Sequence, residues 1–490
     1  MMHSSENTPY TDVAIIGAGP GGYVAAIRLA QNGQRVTLIE QEALGGTCLN
    51  WGCIPSKAFI YAGHLADTLE KAAPMGLIAS HIRLDMARLQ HWKQTIVQRL
   101  TGGIRQLLIK HGVQMREGSA AFVDPTTLAI GDELLRAQKI IIATGSVASP
   151  LSMLPVDGHR IVDARHVLDW HNLPNRLIVV GGGVIGVEMA SMMHHLGVPE
   201  VSIIEATPSL LPGFDPDVQT LLLKSLTARG IQVHLNARVL RHHSGIEGIS
   251  LEVALDKHAH RGSEKSSDSD LLSADCVLVA VGRKANTQGL GLETIGLPLD
   301  DRGCINVNCH GQTQFEHIYA IGDVTGGPML AHRASHMGLC AAAHIIDPEA
   351  GMAFSPMAIP SAVFSDPEIA SVGFSEPEAK AKFGDAQIKT GLFPWAASGR
   401  AMAMSVDLKP PVGFVKIVSH AQTDRLLGVH MAGAHVAELV SEATLAIEAG
   451  ATVEDLALTI HPHPTLSEGL MEAAEALHHQ AIHIYQPTRP

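Results

Sequence analysis

One local design occurs twice in this chain, and it restricts the fold more than any other feature. Val13 to Ile16 is a short apolar run that leads at once into Gly17-Ala18-Gly19-Pro20-Gly21-Gly22. An amphipathic stretch follows to about Gln31, Gly33 marks its end, and Val36 to Ile39 forms the next apolar run, ending at Glu40. About 160 residues later Leu177 to Val180 runs into Gly181-Gly182-Gly183-Val184-Ile185-Gly186. A helical stretch then leads to Gly197, and Val201 to Ile204 ends at Glu205. A lone G-x-G-x-x-G fits any tight turn at a helix start. Here each copy follows a strand, opens a helix and has an acid at the end of the next strand, which is the full context of a dinucleotide-binding turn. Gly17, Gly19 and Gly22, and again Gly181, Gly183 and Gly186, let the backbone approach a pyrophosphate whose charge sits at the helix N-terminus. Glu40 and Glu205 stand where a carboxylate accepts from ribose hydroxyls. The fold class expected is therefore α/β, with two Rossmann-like dinucleotide-binding domains in a doubly wound arrangement.

The rest of the chain extends this reading. Three further apolar segments run into glycine loops: Ile140 to Thr144-Gly145, Val277 to Gly282-Arg283, and Ile318 to Gly322-Asp323. Each is expected to finish a sheet and return the chain toward a cofactor, which makes Thr144, Gly145, Gly282, Gly322 and Asp323 candidate contacts. Asp256 to Asp270 is polar and Ser/His-rich, and reads as a solvated, functionally silent hairpin insertion. From about Ala358 strands alternate and then give way to helices, an α+β unit without nucleotide motifs. With 490 residues, more than one core is required. The expected boundaries are residues 1–152 for the first part of one dinucleotide domain, 153–282 for the second dinucleotide domain, 283–355 for a central segment completing the first, and 356–490 for a C-terminal interface domain. Two such sites call for two different dinucleotides, FAD and a nicotinamide. Glu205 favours NAD over NADP, because it repels a 2′-phosphate and no Arg follows it in Ala206-Thr207-Pro208-Ser209.

The net charge of −13, with Lys and Arg scattered, leaves no basic stripe for nucleic acid. No apolar run approaches the roughly 18 residues that a membrane span needs. Met1 to Tyr10 is polar and lacks a signal-peptide core, so a cytoplasmic, reducing compartment is expected. Six cysteines in a chain this long do not build a disulfide framework.

Two of those cysteines stand apart. Gly45-Gly46-Thr47-Cys48-Leu49-Asn50-Trp51-Gly52-Cys53-Ile54-Pro55-Ser56-Lys57 places Cys48 and Cys53 close enough to close a small disulfide ring. Pro55 marks the first turn of the following helix, so Cys53 falls at a helix N-terminus, where the dipole stabilises a thiolate. Lys57 adds positive charge one turn on. The alternatives are a buried thiol pair or half of a zinc site. Zinc needs two more ligands, and Cys304 and Cys309, the other half one could imagine, read as a strand and a turn, so no metal is expected. Cys276 and Cys340 read as ordinary buried thiols. A second candidate site is His461-Pro462-His463-Pro464-Thr465-Leu466-Ser467-Glu468. A histidine flanked by prolines on a loop is not a core pattern. Its spacing to His461 carries little weight in a chain with 28 histidines.

Gly45 to Lys57 resembles the active-site signature of the class I pyridine nucleotide-disulfide oxidoreductases. The likeness extends from Thr11 to about Ile484, with further family motifs at Gly322-Asp323, Pro328 to His332, Phe364 to Glu368, Pro394 to Arg400 and His461 to Thr465. Within the family the chain most resembles the dihydrolipoamide dehydrogenase branch. The resemblance implies FAD at the first glycine motif and NAD at the second. It implies Lys57 and Glu188 near the flavin N5 and nicotinamide, and Asp323 on the FAD ribityl chain. It implies a homodimer joined through the C-terminal unit, in which His463, oriented by Glu468, acts as acid and base on the Cys48–Cys53 pair of the other subunit. The implied reaction passes electrons from dihydrolipoamide through those cysteines and FAD to NAD. The implied partner is the lipoyl-bearing acyltransferase of a 2-oxo acid dehydrogenase complex, with a lean toward the branched-chain type. Met337 and Trp51 depart from the usual residues of relatives. Glutathione reductase relatives are disfavoured by Glu205, and mercuric reductase by the absence of any Cys after Cys340. A non-catalytic docking subunit is disfavoured by the intact Cys48, Cys53, His463 and Glu468.

Overall fold

Tyr10–Ile16 forms a strand whose residues alternate between two apolar layers, as a period of two requires. Val13 and Ile15 join one core with Leu29, Tyr319 and Met337, while Ala14 and Ile16 join another with Phe122, Leu128 and Ile140. A strand covered on both faces is the normal setting of a parallel sheet. The computed structural model describes residues 8–80, 82–245, 248–255, 269–349, 351–407 and 409–487. They form two compact units, one comprising residues 1–56, 87–149 and 282–355, the other residues 57–86, 150–281 and 356–490.

In the first unit Tyr10–Ile16 lies between Val36–Glu40 and Glu133–Ile142, both parallel to it. Gln114–Glu117 extends the sheet beyond Val36–Glu40, and Ile318–Ala320 adds to Glu133–Ile142, again in parallel. Antiparallel Thr127–Ile130 and Ala120–Asp124 complete seven strands. Helices Pro20–Gln31 and Ala331–Ile346 cross closely because glycines face each other: a Cβ on Gly338 would lie 2.7 Å from the Gly21 carbonyl oxygen. Met337, the departure noted in the sequence, is buried in this contact layer.

The second unit contains the repeat of this design. Arg176–Val180 lies between parallel Glu200–Ile204 and Cys276–Val279, with Gln232–His234 and Ile161–Val162 at the edges. A three-stranded antiparallel sheet, Ala237–Gly245, Gly248–Leu255 and Ser269–Ala274, packs beside it. Most of the polar stretch from Asp256 to Asp270 falls between the last two of these strands, and residues 256–268 lie outside the described residues. The C-terminal part is α+β, as expected. Its antiparallel sheet runs Ser361–Val363, Glu368–Gly373, Leu426–Gly433, Phe414–His420, Ile388–Pro394. Helices Val436–Glu448 and Glu468–Leu477 bury Val440, Ala443, Leu470 and Ala473 against it.

One buried charge ties this sheet to helix Pro216–Ala228 and its cap. Lys416 sits 3.1 Å from Asp215, 2.5 Å from Asp217 and 2.7 Å from Glu376. Burial opposes its charge, but the three carboxylates outweigh that and hold the ammonium well above the usual lysine range. Lys416→Met removes the cation and leaves the fully buried Asp215 carboxylate without it. The expected loss is about 3–5 kcal/mol of stability, read as a lower denaturant midpoint. An unchanged midpoint would show that the carboxylates do not need this cation.

Candidate active site

The two glycine loops share one backbone design at their first, third and sixth positions. Gly17 and Gly181 adopt φ of +102° and +112°, a region that side chains rarely enter. A Cβ on Gly17 would meet the Ala143 carbonyl oxygen at 2.4 Å, and one on Gly181 the Ala280 carbonyl oxygen at 2.4 Å. A Cβ on Gly22 or Gly186 would strike the Gly17 or Gly181 carbonyl oxygen at 1.9 and 1.8 Å, so these glycines let each helix start against its strand. Gly19 and Gly183 are different, because a Cβ there would meet nothing within 4 Å. Each is an N-cap whose residue offers no side-chain cap, so the first N–H groups of helices Pro20–Gln31 and Val184–His195 open onto free space. That space suits a pyrophosphate. Each strand-end acid lies across its own loop: Glu40 accepts from Ala18 N at 2.7 Å, and Glu205 from Gly182 N at 2.6 Å and Thr207 N at 2.7 Å. Beside Glu40 a cleft of about 590 Å³, lined by Ala18, Leu44, Asn50, Met115 and Glu117, has room for the remainder of a nucleotide.

In the first unit the cysteine segment is fastened to the first loop. Gly45 N donates to the Ala18 carbonyl at 2.9 Å, and Gly46, at φ +57°, has no room for a Cβ, which would lie 2.8 Å from Gly19 Cα. Cys48 lies in the short helix Gly46–Trp51, and Cys53 is the first residue of helix Cys53–Lys71. The helix start read from Pro55 is thus where the backbone puts it. Between them Gly52 passes so close to Thr47 that a Cβ would sit 2.8 Å from its carbonyl oxygen. Both cysteines are half-buried. Both act on Tyr23, whose hydroxyl is pushed up first by burial and then by the negative charge that Cys48 and Cys53 carry when ionised.

The other candidate contacts of this unit also converge. Thr144 donates through Oγ1 to the Asn286 carbonyl at 2.7 Å, and Gly145 takes φ +71° while its carbonyl accepts from Asn286 N at 3.0 Å. Asp323 follows Gly322, at φ +74°, in the turn Gly322–Thr325, and accepts from Ser146 Oγ at 2.6 Å. Arg283 follows Gly282, at φ +119°, and donates to the same Ser146 hydroxyl at 2.8 Å.

In the second unit Lys57 Nζ lies 2.9 Å from Glu188, whose carboxylate is buried. Glu188 also accepts from the Phe364 backbone N–H at 2.9 Å, and Lys57 stands 4.6 Å from the centre of the Phe364 ring. Lys57 is therefore engaged by a carboxylate and a ring. His463, in the loop before helix Glu468–Leu477, bonds Glu468 Oε1 through Nδ1 at 2.8 Å, and its side chain is 79% exposed. Glu468 Oε2 accepts from Thr465 N at 2.7 Å, which fixes the carboxylate. Burial works against ionisation of Glu468, but the Thr465 N–H and His463 hold its pKa below the usual range. His461 points elsewhere, with Nε2 2.8 Å from Glu442 and Nδ1 2.8 Å from the Thr459 carbonyl.

The remaining cysteines fall as follows. Cys340 and Cys304 are buried and Cys309 is exposed. Cys276, expected to be buried, is half-buried, because strand Cys276–Val279 begins there at the end of its sheet and turns its sulfur toward the His159 carbonyl. Sequence reading named no role for Tyr23, Ser146, Arg283 or Phe364. Phe364 and Arg283 lay inside segments singled out above, whereas nothing local marks Tyr23, which reaches the cysteines only through the fold.

Comparison with known proteins accords with this geometry. Residues 11–338 match the family described as pyridine nucleotide-disulphide oxidoreductase, and residues 359–474 match its dimerisation domain. A dihydrolipoyl dehydrogenase of Thermus scotoductus is 44% identical over 474 residues, covering 96% of this chain and 98% of that protein. One of Bacillus subtilis is 40% identical over 479 residues, covering 97% and 98%. Among solved structures, LpdA from Mycobacterium tuberculosis superposes with a TM-score of 0.84 at 28% identity, covering 95% of this chain and 99% of that one. The chain belongs to the pyridine nucleotide-disulphide oxidoreductase family.

Proposed function

We propose that this chain oxidises protein-bound dihydrolipoamide to lipoamide and reduces NAD to NADH, as a dihydrolipoyl dehydrogenase. The observation that carries the reading is the Cys48–Cys53 segment, fastened by Gly45 and Gly46 to a glycine loop with an open pyrophosphate cradle. A dithiol held against a dinucleotide site is what disulfide–nicotinamide exchange requires. Relatives at 40–44% identity over nearly the whole chain carry that activity in their names. Among the described residues no helix is long and apolar enough to cross a membrane. We place the enzyme in the cytoplasm.

The first loop, with the cleft beside Glu40, would hold FAD, supported by Thr144, Gly145, Gly322 and Asp323. The second loop, with Glu205, would hold NAD, and Lys57 and Glu188 would serve hydride transfer there. Residues 283–355 complete the FAD domain in this reading, and residues 356–490 form the interface of a homodimer. That interface is supported by the family dimerisation domain and by apolar side chains that one chain leaves in water: Leu445 is 70% exposed, Leu458 74% and Ile460 95%. Leu458 and Ile460 precede His463 by only a few residues. The exposed imidazole would then reach the cysteine pair of the other subunit. The lipoyl-bearing acyltransferase of a 2-oxo acid dehydrogenase complex is the partner that presents the substrate.

His463 takes the proton from one thiol of dihydrolipoamide, and Glu468 steadies the imidazolium that forms. The thiolate attacks Cys48, breaking the Cys48–Cys53 bond and forming a mixed disulfide. Cys53 leaves as a thiolate at the start of helix Cys53–Lys71, where the helix dipole favours it. The second substrate thiol then displaces Cys48: His463 gives its proton to the departing Cys48 sulfur and takes the one that the second thiol gives up, and lipoamide is released with both electrons left on the cysteines. FAD, when bound, supplies the two-electron relay from this dithiol to NAD.

The test is a steady-state assay of dihydrolipoamide, glutathione and other thiols or disulfides with NAD and NADP. Turnover confined to glutathione with NADP would overturn the reading. Glu205→Ala should lower kcat/KM for NAD relative to NADP by about 10- to 100-fold, the worth of a charge-assisted hydrogen bond plus the lost repulsion of a 2′-phosphate. An unchanged ratio would move nicotinamide selection away from Glu205.

A further inference from the structure

The contact between helices Cys53–Lys71 and Val184–His195 repeats. Lys57 meets Glu188, and seven residues on in each helix His64 meets His195. Seven residues are two turns, which returns both side chains to the shared seam. The helices can approach this closely because of Gly63, where a Cβ would lie 2.9 Å from the Cβ of His195. The loop that donates Phe364 N–H to Glu188 also brings Asp366 to the two imidazoles.

The second contact is chemically unlike the first. His64 and His195 meet edge to face with ring centres 4.9 Å apart. The His195 side chain is 2% exposed, and its Nδ1 is buried with no hydrogen-bond partner. Its Nε2 lies 3.2 Å from Asp366 Oδ2. His64 Nε2 is likewise buried with no hydrogen-bond partner. Burial pushes the His64 imidazole down, toward the neutral form that ligates metals. Burial also opposes ionisation of Asp366, but His195 and the Arg229 guanidinium outweigh it and hold the pKa at about 2. Arg229 contacts the same Asp366 oxygen, Oδ2, that faces His195, and also lies 3.6 Å from Asp67, so a metal ion would bind Asp366 through Oδ1 or in place of this guanidinium. Orphaned buried polar nitrogens cost free energy unless something fills the place of the missing partner.

We propose that His64, His195 and Asp366 form a binding site for a divalent transition metal of the zinc class, which clamps the two helices carrying Lys57 and Glu188. One ligand atom from each lies within 4.8 Å of the other two. Tetrahedral zinc at about 2.0–2.1 Å from its ligands sets them about 3.3 Å apart, so side-chain rotation has to draw them in slightly. Two imidazoles and a carboxylate leave a fourth position for water. The donor set has no thiolate, which separates it from the cysteine pair, and it stands whether or not the activity proposed above is correct.

The test uses the flavin-loaded enzyme, washed with chelator and dialysed against Zn²⁺, with bound metal measured by mass spectrometry and thermal stability followed in parallel. About one Zn²⁺ per chain is expected, with a rise in Tm. Both should persist in the Cys48→Ser/Cys53→Ser variant and weaken at least about tenfold in His64→Gln and in His195→Gln, whose metal-free Tm reports that each has folded. Sub-stoichiometric Zn²⁺ in the unmodified protein would overturn the site, leaving a structural His195–Asp366 contact. So would binding that survives both histidine substitutions, or that vanishes with the cysteines alone.

Discussion

Cys53→Ser is expected to lower NAD reduction by dihydrolipoamide by about 10³-fold or more while leaving flavin binding intact. Serine preserves size and hydrogen-bonding capacity at the start of helix Cys53–Lys71, so the backbone there has no reason to move. What it removes is the sulfur that must leave when Cys48 is attacked and must then carry electrons onward. No other cysteine can take its place within this segment, since Gly45 to Lys57 holds only Cys48 and Cys53. Cys48→Ser should fail equally, but one step earlier, because no mixed disulfide can form. A control separates chemistry from folding: NADH oxidation by an artificial one-electron acceptor needs flavin and nicotinamide only, and should survive in both variants. If Cys53→Ser turned over dihydrolipoamide within tenfold of the unmodified enzyme, the cysteines would be ordinary thiols.

Much of this architecture is legible in the sequence, and the reason is local. Gly17, Gly22, Gly181 and Gly186 sit where a Cβ would strike backbone less than 2.5 Å away, so the chain announces those turns in its composition. The strand-end acids Glu40 and Glu205 are bound to their loops by spacing alone. The start of helix Cys53–Lys71 was legible because Pro55 tolerates only the first turn. What local sequence does not encode is which distant residues meet. Tyr23 beside the cysteines, Ser146 shared by Asp323 and Arg283, and Phe364 N–H on Glu188 all depend on how elements far apart in sequence are packed. The His64, His195 and Asp366 cluster is the sharpest case. Its members are 131 and 171 residues apart by subtraction of their numbers, and none stands in a metal-ligand spacing. The exposure of Cys276 was missed for a similar reason: an apolar run does not show where its sheet stops covering it.

His463→Gln should cost about 10²- to 10⁴-fold in turnover with dihydrolipoamide, the range for losing a positioned acid–base group. Glutamine keeps a donor for Glu468 but cannot take up a proton. The pH dependence is informative because of Glu468. Its pKa is held below the ordinary glutamate range, although burial opposes this, by the Thr465 N–H and by His463. A carboxylate depressed in the folded state contributes stability above its unfolded pKa, near 4.3, and loses it as pH falls through the lower folded value. Glu468 is therefore ionised throughout the working range, and an acid limb of activity above pH 5 belongs to another group. Glu468→Gln should therefore leave any such limb in place, and its loss in that variant would show that Glu468 titrates there. Since His463 is 79% exposed in one chain, its effect should also depend on the partner. Replacing Leu458 and Ile460 together by Glu, which places charge on the exposed apolar patch, should yield monomers that retain flavin and NADH oxidation by one-electron acceptors yet lose dihydrolipoamide turnover to the same extent as His463→Gln. A monomer of full dihydrolipoamide activity would show that one chain completes its own site, and His463 would then need another explanation.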